Sequence, residues 1–501
     1  MSLLLKREKY PYFDITNFEN TECLVDAEYY LPDYCPDIQK ILKCTADVQI
    51  ISYSVSDSKL AVQGNLNIIV LYTDEKGEII RNCELTKEFN ANAKLSLNAE
   101  SMVAYLKALT GHIICRAVSA RKLDIHIPVI ISYAFCMQKE SEIVFDAVNC
   151  EKKEAFINTS KAFRIYNKDS SVSQNIELMS SMKPIESIIR KKVEFLNVKA
   201  EPTDDGVDIS ADIEVTVIYR SYSENSLIEK LKYQIPFNEK IELTGCSGDM
   251  SVKCNFTKGE LSLIPKEDSM GENNVISLYT KFGINLIIYT KENLKYVKDV
   301  YSLDYMSKEK YVKHTFKTYD EKETKFTVNS EINTEELEKI IDVWCDEADV
   351  ISFSEQDKIN YRGKFTVNVL YYNKSKKVTY INKTVDFNSV YDKESGKQEK
   401  ALSFVSVNSV DYKINSDNLL KVNFDITVVS FIESPETEMI LSSSETGDEA
   451  TSNKGFVNII YSKGDLWQIA KSHRVPVSDI LEINGTEREE DIKFPIMLYK
   501  K

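Results

Sequence analysis

The sequence predicts a mainly β protein: three tandem β-rich, sandwich-like repeats, each with a short helix, followed by a small β-α-α-β module. Three observations lead there. Three long segments alternate apolar and polar residues with period two, which marks strands with one buried face. An apolar triplet precedes each of them at matching distance. Helical spacing of apolar residues without a following long strand is confined to the end of the chain, from residue 455 on.

Composition sets the frame. A chain of 501 residues is too long for one core, which rarely organises more than about 250–300 residues. Apolar residues make up 43% and charged residues 28%, enough to fold. The 78 acidic and 63 basic residues leave a net charge of −15, which argues against a nucleic-acid partner, because phosphate contacts need clustered Lys and Arg. Neither GxGxxG nor GxxxxGK[ST] occurs, so no nucleotide site is expected. Ten cysteines are present without a CxxC, beside four histidines; His112 and Cys115 would make half a zinc site and read better as isolated side chains. The opening MSLLLKREKYPYFD has too short an apolar stretch for a signal peptide, and no run approaches the ~20 residues of a membrane helix. The expectation is a cytosolic protein with reduced thiols, no metal, no cofactor and no membrane span.

The first repeat is expected within residues 1–180, behind an N-terminal segment, the second over 181–330 and the third over 331–441. Ile38, Ile41 and Leu42, then Ile185, Ile188 and Ile189, then Leu337, Ile340 and Ile341 are spaced i, i+3, i+4, which predicts one face of a short helix. Pro36, Pro184, and Asn333 with Glu336 supply start signals. A strand follows in each copy: Leu60, Val62, Leu66, Ile68, Val70 and Tyr72; Ile209, Ala211, Ile213, Val215, Val217 and Tyr219; Ile359, Tyr361, Phe365, Val367, Val369 and Tyr371. From Ile41, Ile188 and Ile340 to the closing tyrosine is 31 residues in every copy. A second alternating strand is carried by Ile125–Tyr133, Phe282–Ile288 and Val422–Val428. Two strand sets over 110–150 residues suit a sandwich of two sheets. His126 falls on the polar phase and reads as a surface side chain, and Asp204-Asp205-Gly206 reads as a turn. Acid–base chemistry needs convergent carboxylates; none stands out, and a non-enzymatic protein is expected.

Residues 442–454, SSSETGDEATSNK, nearly lack apolar side chains and predict a flexible tether about 20 Å long. Residues 455–501 then form the terminal module. Val457, Ile459 and Tyr461 lie on one strand face, and Asp465 is a helix N-cap after a turn at Lys463-Gly464. Leu466, Ile469, Ala470 and His473 recur at helical spacing, Val475-Pro476-Val477 breaks the helix, and Ser478 caps a second with Ile480, Leu481 and Ile483. Asn484-Gly485 supplies a turn, and Ile492–Tyr499 returns as a strand.

The stretch GDLWQIAK followed by VPVSDILEING resembles the LysM family, whose β-α-α-β module commonly binds N-acetylglucosamine chains in a shallow groove. The resemblance places a partner- or glycan-binding groove at Lys463, Gly464, Asp465, Leu466 and Trp467 on one side, with Ile483, Asn484 and Gly485 on the other; Trp467 matches a packed anchor. The family's threonine is lost from GDLW, and Pro495 replaces a usual glycine, changes that fit protein recognition better than sugar recognition. YLPDYCPDIQKILKC and the three strand signatures resemble the clostridial domain of unknown function 3794, and the combination with a terminal LysM resembles the SipL-type spore coat morphogenetic proteins. That resemblance implies a scaffold of the mother cell at the forespore surface. Its LysM module would bind stage IV sporulation protein A, the ATPase of the basement coat layer, and other coat proteins would be further partners. The alternative is a peptidoglycan-binding protein.

Overall fold

The computed structural model describes residues 3–16, 18–56, 58–74, 77, 79–95, 102–222, 228–355, 357–392, 399–416, 418–449, 457–460 and 464–499. Strands dominate, and the two α-helices of the described residues both lie after residue 465. One topology is laid down three times. In the first unit, β1 (Leu4–Ile15) and β2 (Glu19–Tyr30) run end to end. A meander of β3 (Lys40–Ser56), β4 (Lys59–Thr73) and β5 (Ile80–Lys94) follows. Then come β6 (Met102–Thr110), β7 (Ile114–Ser119) and the long β8 (Lys122–Val148). Strand β8 pairs β1 and β2 on one edge and β6 and β7 on the other.

The second unit repeats this with β9 (Glu151–Glu177), a meander of β10 (Ile185–Thr203), β11 (Gly206–Ser221) and β12 (Ile228–Glu242), then β13 (Ser251–Lys266) and β14 (Val275–Tyr301), in sheet order β13-β14-β9. The third has β15 (Tyr305–Asn333), a meander of β16 (Leu337–Glu355), β17 (Lys358–Asn373) and β18 (Val378–Asp392), then β19 (Lys400–Ser416) and β20 (Leu419–Glu449), in order β15-β20-β19. The alternating residues read from the sequence are the buried ones. Leu60 through Tyr72 on β4 and Ile125 through Tyr133 on β8 line one cluster between meander and long sheet, and equivalent clusters join β11 to β14 and β17 to β20. Each such side chain contributes about 1.5–3 kcal/mol by leaving water.

The three predicted short helices are not there. Ile41 and Leu42 lie in β3, Ile185, Ile188 and Ile189 in β10, and Leu337, Ile340 and Ile341 in β16. Their spacing comes from β-bulges, at Ile41/Lys43, at Ile185/Ser187 and Ile188/Arg190, and at Leu337/Lys339 and Ile340/Asp342. A bulge sets two residues against one, so the same face returns after three residues instead of two. Accordingly Ile185 and Ile188 face the cluster inside their unit while Ile189 faces away; Leu337, Ile340 and Ile341, and Ile38, Ile41 and Leu42, divide in the same way. The supposed helix starts lie in loops or, for Asn333, at the last residue of β15, and the hydroxyls of Tyr72, Tyr219 and Tyr371 donate to the carbonyls of the nearby Pro36, Lys183 and Glu335, at 3.3, 3.2 and 3.3 Å, across 36 residues each time.

The units are not separate beads. The residues that face away from the inner cores (Leu42, Ile69, Ile189, Ile218, Trp344 and Leu370) form one cluster shared by all three meanders. A second shared cluster, including Phe13, Tyr105, Cys136, Tyr289, Tyr319 and Phe431, joins the three long sheets. Polar ties close every pair. Arg220 donates to the Ile80 carbonyl at 2.8 Å, Arg190 meets Asp342 at 2.6 Å, and Lys107 meets Asp349 at 2.6 Å. Between β1 and β15/β20, Lys317 bridges Asp14 and the buried Glu433 at 2.6 and 3.1 Å.

Pairing also redraws the predicted divisions. Glu151–Glu177, placed in the first repeat by the 1–180 boundary, hydrogen-bonds to β14; most of Tyr305–Asn333, placed in the second, hydrogen-bonds to β20. The expected tether begins as a strand: residues 442–449 end β20 and pair with β15, Glu445 opposite Lys308. Residues 450–454 lie outside the described residues.

Candidate docking site in the C-terminal module

The terminal segment runs β21 (Val457–Ile460), α1 (Leu466–His473), α2 (Val477–Ile483), a three-residue 3-10 turn and β22 (Ile496–Tyr499), with β21 and β22 antiparallel. Asp465 caps α1 as its sequence position predicts, accepting from the Trp467 N–H at 3.1 Å. Helix α2 starts two residues earlier than expected, with Pro476 rather than Ser478 at the N-cap. Ile480, Ile496, Leu498, Ala470 and Val475 fill the space between helices and hairpin.

The predicted groove residues do several different things. Gly464, Asp465 and Gly485 are exposed, and Ile483 is half-buried. Lys463 and Tyr461 lie outside the described residues. Leu466 is 5% exposed and belongs to the core, so it is not a groove wall. Asn484 is engaged inside the module: its side-chain amide donates to the carbonyls of Ile480 and Met497, at 2.7 and 2.8 Å, and accepts from the Met497 N–H at 2.8 Å. It pins α2 to β22 as a backbone segment would.

The outer face of the β21–β22 hairpin lies outside the predicted groove and is apolar. Register pairs Val457 with Tyr499 and Ile459 with Met497, so these four side chains share the face opposite the helices. Val457, Ile459 and Met497 are 59%, 48% and 44% exposed. The signal was legible in part: Val457 and Ile459 are two apart on one strand, but a buried face was the natural expectation for them.

Trp467 is packed, as expected of an anchor, yet much of its environment comes from the second and third units. Its indole N–H donates to the Asp299 carboxylate at 2.7 Å, its ring meets Tyr301 edge-on at 5.0 Å, and the Lys153 ammonium stands 5.9 Å over it. Lys471, one turn on, donates to Asp299 at 2.6 Å and to Tyr311 at 3.2 Å, and pairs with Glu309 at 3.1 Å. The Tyr311 hydroxyl and the Val300 N–H complete the shell of Asp299. Tyr301 donates to the Val475 carbonyl at 2.8 Å, and Lys153 lies 3.6 Å from Asp465. Burial pushes the Asp299 carboxyl up, but the hydrogen bonds from Lys471, Tyr311 and Trp467 outweigh it and hold it below the ordinary carboxylate value.

Elsewhere, His126 is half-buried on β8 between Asp26 and Asp124, at 2.6 and 3.2 Å, and these carboxylates raise its pKa, Asp26 foremost. Among the described residues, no three His, Cys, Asp or Glu side chains converge as a metal site, and no helix is long and apolar enough to cross a membrane. All ten cysteines are free thiols.

Two segments, residues 37–118 and 184–262, match the family described as SipL, SPOCS domain. Both span a meander and the first strand or strands laid beside the long return strand, β3 to β7 in one case and β10 to most of β13 in the other. No curated protein and no solved structure matches the chain.

Proposed function

We propose that this chain is a non-enzymatic adaptor of spore coat assembly, working in the mother cell at the forespore surface. Its C-terminal module, read as a LysM domain, docks onto stage IV sporulation protein A. The similarity of two segments to the SPOCS domain of SipL supports a sporulation role. Strand-helix-helix-strand order supports the LysM reading. Three β-rich units tied together by two shared apolar clusters support the reading as a scaffold.

The observation that favours a protein partner is the apolar outer face of the hairpin. Four adjacent apolar or aromatic side chains, three of them well exposed, suit a desolvating protein contact better than a sugar chain, which needs polar groups and stacking faces along a groove. The groove residues fit sugar less well, since Asn484 spends its amide within the module. Ile459→Glu and Met497→Lys, singly and together, are expected to abolish binding to purified stage IV sporulation protein A while circular dichroism stays unchanged. Full binding by the double variant would sink the proposed face. Saturable sedimentation with purified cell wall would support peptidoglycan as the ligand instead.

A further inference from the structure

The contact between the terminal module and the body has the composition of a latch. Asp299 is 7% exposed and gathers four donors: the Val300 N–H from its own strand, Tyr311 from β15, and Trp467 and Lys471 from α1. The two donors from α1 reach across the contact to this one carboxylate, beside the Tyr301–Val475 hydrogen bond and the ion pairs of Lys471 with Glu309 and of Lys153 with Asp465. Charge-assisted hydrogen bonds of this kind are strong but specific in geometry.

The closed contact is also imperfect. The side chains of Asp299 and Glu309 are 10% and 8% exposed, and both turn to the single ammonium of Lys471. One negative charge is left over in a poorly solvated place, and the Glu309 Oε1 atom has no hydrogen-bond partner. Uncompensated buried charge is expensive. A tie and a penalty therefore meet at the same point. Separation of the module would uncover Tyr301, Trp467 and the Val475 carbonyl, all nearly buried in the docked state.

We propose that the terminal module is a two-state latch on the second and third units, closed by Asp299 and biased toward opening by Glu309, and that opening uncovers Tyr301 on the body and Trp467 on the module. This stands apart from which partner the module binds, because it concerns only the contact between module and body. In the closed state the hairpin face is exposed while Tyr301 and Trp467 are buried; in the open state each of these two side chains is uncovered on its own part of the molecule.

The test uses the full chain carrying 5-fluorotryptophan. Its two tryptophans give two fluorine resonances, and Trp344, buried where the meanders meet, reports that the body stays folded. Relaxation of the Trp467 resonance by a soluble nitroxide reads the open population. Asp299→Asn keeps the shape but loses the charge, and is expected to raise that population on the order of tenfold. Lys471→Met, which removes the ammonium but keeps an unbranched side chain of similar length, is the second route to the same result should Asp299→Asn fail to fold. Glu309→Gln removes the surplus charge and is expected to lower the open population. A Trp467 resonance unmoved by Asp299→Asn or by Lys471→Met, or moved toward exposure by Glu309→Gln, would overturn the latch, as would no change with Glu309→Gln.

Discussion

Leu466 shows how one residue separates two descriptions of the terminal module. Its place beside Asp465 makes it a groove residue by resemblance, but it is buried against Tyr301, Trp467 and Ile480. Leu466→Ala should cost the module about 2–5 kcal/mol, as for other large-to-small core changes, visible as early loss of helical dichroism on heating. An unaltered melting curve would return the side chain to the surface. Asp299 gives a pH prediction. A carboxyl held below its unfolded value contributes stability that is present above the unfolded pKa, about 3.9, and lost as pH falls through the lower folded value. Lys471, whose pKa is raised by Asp299, Tyr311 and Glu309 against the opposing effect of burial, contributes fully below its ordinary value near 10.4 and loses its effect only as pH rises beyond. The module should stay docked through the neutral range and separate in acid, followed by the fluorine signal of Trp467, and Asp299→Asn should abolish that acid step. Separation between pH 6 and 9 in the parent chain would contradict this assignment.

At the scale of elements, the alternating strands were legible because a half-buried strand needs nothing but period two, and Leu60–Tyr72, Ile209–Tyr219 and Ile359–Tyr371 obey it. The bulged starts of β3, β10 and β16 were not legible. A bulge resets the phase by one residue, so a strand that turns Ile185 and Ile188 inward and Ile189 outward writes the same i, i+3, i+4 triplet as a helix. The constant spacing to Tyr72, Tyr219 and Tyr371 is legible, but the hydroxyl of each reaching a carbonyl 36 residues back is a contact between elements and has no local signal. The meander also depends on close approach. A Cβ added at Gly363 would stand 2.0 Å from the Phe387 ring and 2.5 Å from the Asp349 carbonyl. Gly363→Ala should therefore destabilise the third unit by about 1–3 kcal/mol, whereas Gly271, with open space around it, tolerates a side chain apart from its positive φ. Equal melting temperatures for Gly363→Ala and the parent would show that the ring yields freely.

For the whole molecule, the sequence supports three copies of a unit but carries no mark of how they meet. The residues that join them, such as Trp344, Ile218 and Leu71 in one cluster or Tyr319 and Phe13 in the other, sit on the polar phase of their strands or between phases, where apolar side chains look like irregularities. Read together they are the second face of each sheet, buried by the neighbouring units. The same limit hid the docking of the terminal module, because Asp299 and Lys471 are 172 residues apart and ordinary in their local context. The molecule is a three-unit body with a terminal module packed against it and an apolar hairpin face left exposed. The decisive measurement is the binding of purified stage IV sporulation protein A to the full chain and to a chain ending at residue 454, with the melting transition of the body recorded for both. Binding lost on truncation while the body still melts cooperatively is the predicted result; equal binding by the shortened chain would show that the contact lies in the three units and that the terminal module has another purpose.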